Sequence, residues 1–368
     1  MKNRDTQVEK KGSFLEGKRV CVCVTGSIAA VQSIKIVREL RRFGADVYVA
    51  LTGEAAQFIT PLSLEWASSH PILTESSGLA QHLFQFDMYV VAPATMNTIN
   101  KFSLGIADNF VLSILASAWG RGEKIYFVPV MHEDLFNNPV FQENLTSLRA
   151  RGGGVLVSDM ESCNEGKFKI PSYETIVAQV CHFMNKRNSR VLLTAGPTRS
   201  YLDNVRYIQN ASTGRLGSTL ADYFYRSGID VDVVYGPGTT TLSAWIQTYP
   251  VETADEMKAQ VFKLMENNKY NAAIFAAAVL DFKPSVVISE KRHSSDAWDI
   301  HLVPTEKIID QVHNRFVIAL LIQGHFAFEK YVSIELGFSQ ALSTWHVLQF
   351  SSIHHGERCI LDCSYETK

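Results

Sequence analysis

Three stretches of this chain hold residues of the types and spacing that chemistry needs. The first is MYVVAPATMNTINKFSLGIADN, residues 88–109. Tyr89 to Ala92 form a continuous apolar run too short for a helix, which reads as a strand buried in a parallel sheet and ended by Pro93. Ala94 and Thr95 make a small-residue turn, and Asn97 stands at the mouth of a predicted helix running through Ile99, Phe102 and Ile106. Open α/β sheets bind ligands where a strand's carboxyl end faces a helix N-terminus, because free backbone N–H groups converge there. Chemistry in this half is therefore expected near Asn97. The second stretch is TGSIAA, Thr25 to Ala30, where Gly26 and Ser27 allow a phosphate or carboxylate to approach a helix start; a tight βα turn is the alternative. Thr52 closes another strand beside the same crevice, and its hydroxyl suits either a cofactor phosphate or ribityl chain, or a helix cap. Met131 and His132 follow a fourth strand, where a lone histidine is commonly structural. The third stretch holds Gly196, Asn210, Ser212, Gly214, Arg215 and Gly217 around a turn and helix start. Glycine and a basic residue there suit a triphosphate, which needs N–H donors and positive charge; a Gly-rich βα turn is again the alternative. No GxxxxGK[ST] occurs, which disfavours a P-loop NTPase.

The elements that must position these residues alternate. RVCVCVTGS reads as strand and turn, IAAVQSIKIVRELRRFGA as a helix closing on Gly44, and DVYVALT as a second strand. EAAQFITPLSLEWAS is helical and broken at Pro61, MYVVAPAT is the third strand and KIYFVPVM the fourth, which together predict a doubly wound parallel sheet. After a charged, Asn-rich link near residues 185–189 the alternation restarts: RVLLTAG, STGRLGSTLADYFYRSG, IDVDVVYGPG, TADEMKAQVFKLMENN and AAIFAAAVLDF. The expected division is a flexible lead over 1–17, α/β domains over 18–185 and 190–320, and an unassigned tail over 321–368.

Bulk properties narrow the partners. The 368 residues are 46% apolar with a formal net charge of -2, enough to build two cores and too neutral to attract nucleic acid or an anionic membrane. No apolar run reaches the roughly 18 residues of a spanning helix, and the polar start resembles no signal core, so a cytoplasmic protein with small-molecule or subunit partners is expected. Six cysteines make no disulfide framework; Cys21 and Cys23 share one strand face and read as core, and Cys359 and Cys363 lack the second pair of a zinc site.

Together these pieces resemble one family. TGSIAA, LTGEAAQFITP, VVAPATMNT with GIADN, and VPVMHEDLF stand in the order of the flavin-containing cysteine decarboxylases, phosphopantothenoylcysteine decarboxylase in particular. TAGPTRSYLDNVRYIQNASTGRLG, VVYGPG, FAAAVLDFKP and SEKRHSS resemble the phosphopantothenate–cysteine ligase to which that decarboxylase is commonly fused. The resemblance covers about residues 18–320 and implies two Rossmann-like three-layer domains, the first flavodoxin-like.

For the first half it implies bound flavin mononucleotide (FMN), with Gly26 and Ser27 at the phosphate, Thr52 beside the cofactor, and Pro93, Thr95 and Asn97 in the pocket. Asn97 matches the residue that grips the substrate carboxylate. Met131 and His132 match a substrate clamp, His132 replacing an asparagine yet still able to donate a hydrogen bond. Decarboxylating an ordinary cysteine needs an electron sink. In the family the flavin oxidises the thiol to a thioaldehyde, CO2 leaves to give an enethiolate, and a thiol acts as proton donor. Cys163, on the polar ESCNEGKFKIP loop, is the match for that acid. The family's active-site histidine falls on Leu79, with His82 three residues on.

For the second half the resemblance implies that CTP activates 4'-phosphopantothenate as an acyl-cytidylate from which cysteine displaces CMP, with Mg2+ bridging the phosphates. Asn210 matches the residue that handles this intermediate, Lys291 the mobile lysine of the cysteine step, and Asp281 a nucleotide-binding aspartate. Arg215 replaces a lysine, keeping charge and changing geometry. Beyond Leu321 the expected Lys-bearing helix and the Asp and Asn near the base are not found. The family also implies homo-oligomers, through trimeric decarboxylase and dimeric ligase contacts. Two other readings stand beside it: a pyridine-nucleotide oxidoreductase, which lacks a GxGxxG here, and a flavin-binding regulatory or scaffold subunit lacking one or both activities.

Overall fold

The computed structural model describes residues 6–74, 83–156, 167–168, 170–291, 297–309 and 319–321. The chain divides into two compact units, Met1–Lys186 with Arg226–Gly228, and Arg187–Tyr225 with Ile229–Lys368.

The first unit runs β1 (Arg19–Val24), α1 (Ser33–Arg42), β2 (Asp46–Leu51), α2 (Pro61–Ser68), β3 (Met88–Ala94), α3 (Met96–Ser103), α4 (Phe110–Gly120) and β4 (Lys124–Pro129). It continues with β5 (Met131–His132), α5 (Glu133–Phe136), α6 (Pro139–Ala150), β6 (Gly154–Val155), β7 (Lys167–Phe168) and α7 (Tyr173–Asn185). The parallel sheet has the order β2-β1-β3-β4-β6, that of a flavodoxin-like doubly wound fold. Strand alternation divides the core between its faces. Val20, Val22, Val24, Val90 and Ala92 pack with Ile36, Val37 and Leu40 of α1, while Cys21, Cys23, Tyr89 and Val91 pack with Ile99, Leu112 and Phe141. The two thiols are thus core residues. A hydrogen bond to Cys21, and then burial, holds the Cys23 thiol well above its ordinary pKa.

Several local expectations need correcting. Pro93 does not end β3: the strand continues to Ala94, which pairs with Pro129 after an irregularity beyond Val91. Proline brings no N–H to a ladder, and a neighbouring side chain bonds the backbone groups that follow its nitrogen, as described below. The helix after Asn97 stops at Ser103, with Gly105 at φ 74, so Ile106 lies outside it; α4 then starts afresh under an Asn109 cap that accepts the Leu112 N–H at 2.9 Å. Pro61 opens α2 at its first turn, where a missing N–H costs nothing, under a Thr60 cap. Within the expected flexible lead, Leu15 is fully buried, and Lys11 and Leu15 donate backbone N–H groups to the Arg42 and Phe43 carbonyls. The Lys11 ammonium also pairs at 2.7 Å with Glu39, a carboxylate 2% exposed that Arg42 meets at 2.8 Å.

The second unit contains β8 (Arg190–Ala195), the antiparallel pair β9 (Arg199–Tyr201) and β10 (Tyr207–Gln209), α8 (Arg215–Arg226), β11 (Asp230–Tyr235), β12 (Gln247–Pro250), α9 (Ala254–Asn267), β13 (Ala272–Phe275), the antiparallel pair β14 (Phe282–Pro284) and β15 (Leu302–Pro304), and β16 (Ala319–Leu321). Its sheet, β12-β11-β8-β13-β16, is parallel throughout. Leu220, Ala221 and Phe224 of α8 cover one face, and Met257, Val261 and Leu264 of α9 the other. A capping box at Thr253 and Glu256 starts α9. The strand read in AAIFAAAVLDF stops at Phe275; beyond it the chain follows β8's continuation through the Ala276 N–H bond to the Thr194 carbonyl and a bridge of Pro197 with Ala278.

Candidate functional site

Each sheet reverses its winding once, between β1 and β3 in the first unit and between β8 and β13 in the second. The carboxyl ends of those strand pairs open the crevice where such sheets take ligands.

In the first crevice the ends of β1 and β3 are joined through Thr25. Its hydroxyl is buried, donates to the Pro93 carbonyl at 2.8 Å and accepts the Thr95 N–H at 3.2 Å, bridging the point where proline interrupts the ladder. Ser33, fully buried at the start of α1, donates to the Ala92 carbonyl at 3.1 Å. These two hydroxyls fix the Ala92–Thr95 turn. Sequence reasoning passed over both as site residues; a hydroxyl on the otherwise apolar face of a strand end or helix was the available signal. Thr95 caps α3, accepting the Thr98 N–H at 3.3 Å, and Asn97 stands exposed in the first turn. Ser27 caps the single turn Ile28–Gln32, accepting the Ala29 N–H at 3.3 Å. Beside it Ile28 is 71% exposed. Thr52 follows β2, buried, and accepts the Ala55 N–H at 3.2 Å, so its lone pair serves as the cap while its proton remains free to donate. Gly26 is forced by packing: a Cβ there would lie 2.5 Å from the Glu54 Cβ. The structure thus gathers Gly26, Ser27, Thr52, Pro93, Thr95 and Asn97 at adjoining strand ends, because β1 pairs with both β2 and β3.

Met131 is buried and His132 exposed, and the two form a ribbon with Phe168 and Lys167. That pairing joins the residues after β4 to Lys167 and Phe168. Cys163, Leu79 and His82 themselves lie outside the described residues.

In the second crevice, Gly196 follows β8 at φ 78, its backbone so close to Gly236 that a Cβ would lie 2.8 Å from that carbonyl oxygen. The Asn210 amide donates to the Ala278 and Val279 carbonyls at 3.1 and 3.2 Å, across the switch point, leaving its own oxygen as an acceptor. Ser212 accepts the Gly214 N–H at 3.4 Å, and Arg215 is exposed in the first turn of α8. Gly217 lets α8 lie on β8: a Cβ would stand 2.2 Å from the Ala195 Cβ. These six residues converge. Asp281 is exposed just before β14, and its carbonyl accepts the Thr305 N–H. Lys291 is exposed, three residues beyond Ile288, whose N–H donates to the Leu202 carbonyl next to β9. Among the described residues no group of three or more His, Cys, Asp or Glu side chains could hold a metal unaided, and no helix is long and apolar enough to cross a membrane.

Comparison with known proteins places this geometry. Residues 9–185 match the Flavoprotein family model, and residues 186–335 match the DNA/pantothenate metabolism flavoprotein C-terminal domain. The coenzyme A biosynthesis bifunctional protein CoaBC of Thermococcus kodakarensis is 34% identical over 313 residues, which span 82% of this chain and 76% of that protein. Its counterpart in Escherichia coli K12 is 33% identical over 294 residues, 75% of this chain and 71% of that one. Among solved structures, the FMN-dependent cysteine decarboxylase TvaF from thioviridamide biosynthesis is similar over 40% of this chain and 93% of its own, at 30% identity and a TM-score of 0.36. With both halves matched in order and most of each relative's length spanned, the chain belongs to the coenzyme A biosynthesis bifunctional proteins, CoaBC.

Proposed function

We propose that the chain is a two-activity enzyme of coenzyme A biosynthesis: it joins cysteine to 4'-phosphopantothenate at the expense of CTP, and decarboxylates the product to 4'-phosphopantetheine with bound FMN. The observation that carries this reading is the presence of two separate switch-point crevices, each lined by the motif residues of its own half. The first suits a flavin mononucleotide. Ser27, Thr52 and Thr95 offer hydroxyls at adjoining strand ends for a ribityl phosphate, and exposed Ile28 offers apolar surface to a ring. When bound, the flavin supplies the two-electron acceptor that makes loss of CO2 from a cysteine carboxylate accessible.

The protein's residues do the remaining work. Asn97, in the first turn of α3, donates to the substrate carboxylate from the helix end that favours negative charge. Met131 closes the pocket with an apolar wall, and the His132 imidazole gives a further donor. Cys163 supplies a proton to the decarboxylated product. In the second crevice Arg215 and the first-turn N–H groups of α8 receive the triphosphate, with Gly196, Ser212, Gly214 and Gly217 allowing its approach. Asn210 holds the activated acyl group with the oxygen its own hydrogen bonds leave unused, Asp281 binds the nucleotide, and Lys291 moves in for the cysteine step. Magnesium enters with the triphosphate. The assembly is a cytoplasmic homo-oligomer acting on these small molecules.

The test is one incubation. Purified protein is scanned for flavin absorbance, then mixed with 4'-phosphopantothenate, cysteine, Mg2+ and CTP, and the products are weighed by mass spectrometry. 4'-Phosphopantetheine is the expected product. Accumulated phosphopantothenoylcysteine would refute the decarboxylase half, and a flavin spectrum without product would favour a regulatory subunit.

A further inference from the structure

The tyrosine that ends β11 joins two loops beside the second crevice. Tyr235 is half-buried, and its hydroxyl donates to the Thr240 carbonyl at 2.6 Å and lies 3.4 Å from the Thr213 carbonyl. The Thr240 N–H donates to that same Thr213 carbonyl at 3.0 Å. Nothing larger than hydrogen fits around the hydroxyl: a Cβ on Gly214 would stand 2.2 Å from its oxygen, and one on Gly238 2.7 Å. Gly214 has a second reason to be glycine, its φ of 81. The loop over residues 210–214, which bears Asn210 and Ser212 and leads into α8, is thereby clamped to the loop over residues 237–240.

We propose that Tyr235 is a positioning residue of the ligase reaction, its hydroxyl locking the 210–214 loop and the first turn of α8 in the arrangement that receives the nucleotide triphosphate. The inference rests on the ligase reading above. Tyr235 touches no reacting atom and acts through Thr213 and Gly214. Burial holds its phenol above the ordinary pKa, so it stays a neutral donor. Replacing the hydroxyl by hydrogen keeps the ring's packing, frees the Thr240 carbonyl and loosens the clamp, leaving the two loops held by the Thr240 N–H bond to the Thr213 carbonyl.

The experiment is steady-state ligase kinetics on the full chain with 4'-phosphopantothenate, cysteine, Mg2+ and varied CTP. Tyr235→Phe is expected to raise the KM for CTP about tenfold while kcat holds within about twofold, the signature of lost nucleotide binding. A tyrosine needed only for folding would lower the active fraction, reducing kcat at unchanged KM; that result, or no change in either constant, overturns the proposal. Gly238→Ala presses on the same hydroxyl and on the Thr213 carbonyl, 2.6 Å from the new Cβ, and is expected to give a similar KM. The double variant should then be no worse than either single one, because both break one network. Additive KM increases would overturn the proposal. Wild-type protein that binds flavin yet never turns over CTP would refute the ligase reading itself and the proposal with it.

Discussion

Replacing Thr25 by valine tests whether the first crevice is held open by one hydroxyl. The side chains are nearly isosteric, so the change removes two hydrogen bonds and little else. The Pro93 carbonyl loses its 2.8 Å donor and the Thr95 N–H its 3.2 Å acceptor, at a residue 1% exposed to solvent. Stranding a buried polar group costs about 1–3 kcal/mol, so two strand roughly 2–6. The methyl that replaces the hydroxyl returns about 1 kcal/mol of apolar burial. The net loss is about 3 kcal/mol, which for a unit of this size lowers the melting temperature by about 6–12 °C. Calorimetry of the flavin-free protein measures the shift, and hydrogen exchange of the 88–103 peptide assigns the transition to this unit. Thr25→Ser keeps both bonds and should recover most of the loss. A valine variant melting within about 2 °C of wild type, with Thr95 exchange unchanged, would refute the claim that this hydroxyl holds the backbone groups that follow the proline nitrogen.

Other outcomes follow from the same geometry. Gly217→Ala should push α8 off β8, since its Cβ would overlap that of Ala195, costing about 1–3 kcal/mol by urea denaturation. Asp203→Ala removes a fully buried carboxylate that accepts the Val205 and Arg206 N–H groups and pairs with the Arg206 guanidinium at 2.8 Å; because that guanidinium is partly exposed and stays hydrated, a loss of about 1–3 kcal/mol in the second unit's stability is expected by the same measurement. Glu39→Gln weakens the pairing that holds the N-terminal segment through Lys11, so limited proteolysis should cut ahead of Leu15 faster than in wild type. Cys163→Ser should keep the flavin spectrum and the ligase step while phosphopantetheine formation falls by at least about tenfold, read by mass spectrometry.

The sequence made the sheets legible because their strands are short, largely apolar after a charged first residue, and separated by helical periods. RVCVCV, DVYVAL, KIYFVP and RVLLTA all coincide with observed strands. It hid the hairpins β9–β10 and β14–β15, whose three-residue strands expose much of their surface and carry no buried alternation. Strand β12, QTYP, escaped notice for a similar reason, being polar and at the sheet edge. Motif residues were legible where backbone geometry demands a small side chain, as at Gly196, Gly214 and Gly217. Thr25 and Ser33 were not: they owe their roles to partners 68 and 59 positions along the chain, which no local pattern records, and Tyr235 owes its role to Thr213, 22 positions back, as well as to nearby Thr240.

The reversal in each sheet also bears on how the chain folds. The strand pairs that frame the crevices join distant parts of the sequence, with Arg19 bonded to Asp87 across 68 positions and Arg190 to Asn271 across 81. Pairings of such span bear the largest loop-closure entropy and are expected to zip last and slowly. A ligand lodged across either crevice therefore grips the slowest-closing seam of its unit. Flavin added during refolding should raise the yield of native first unit by mass action on that final step, while leaving the early helix signals unchanged.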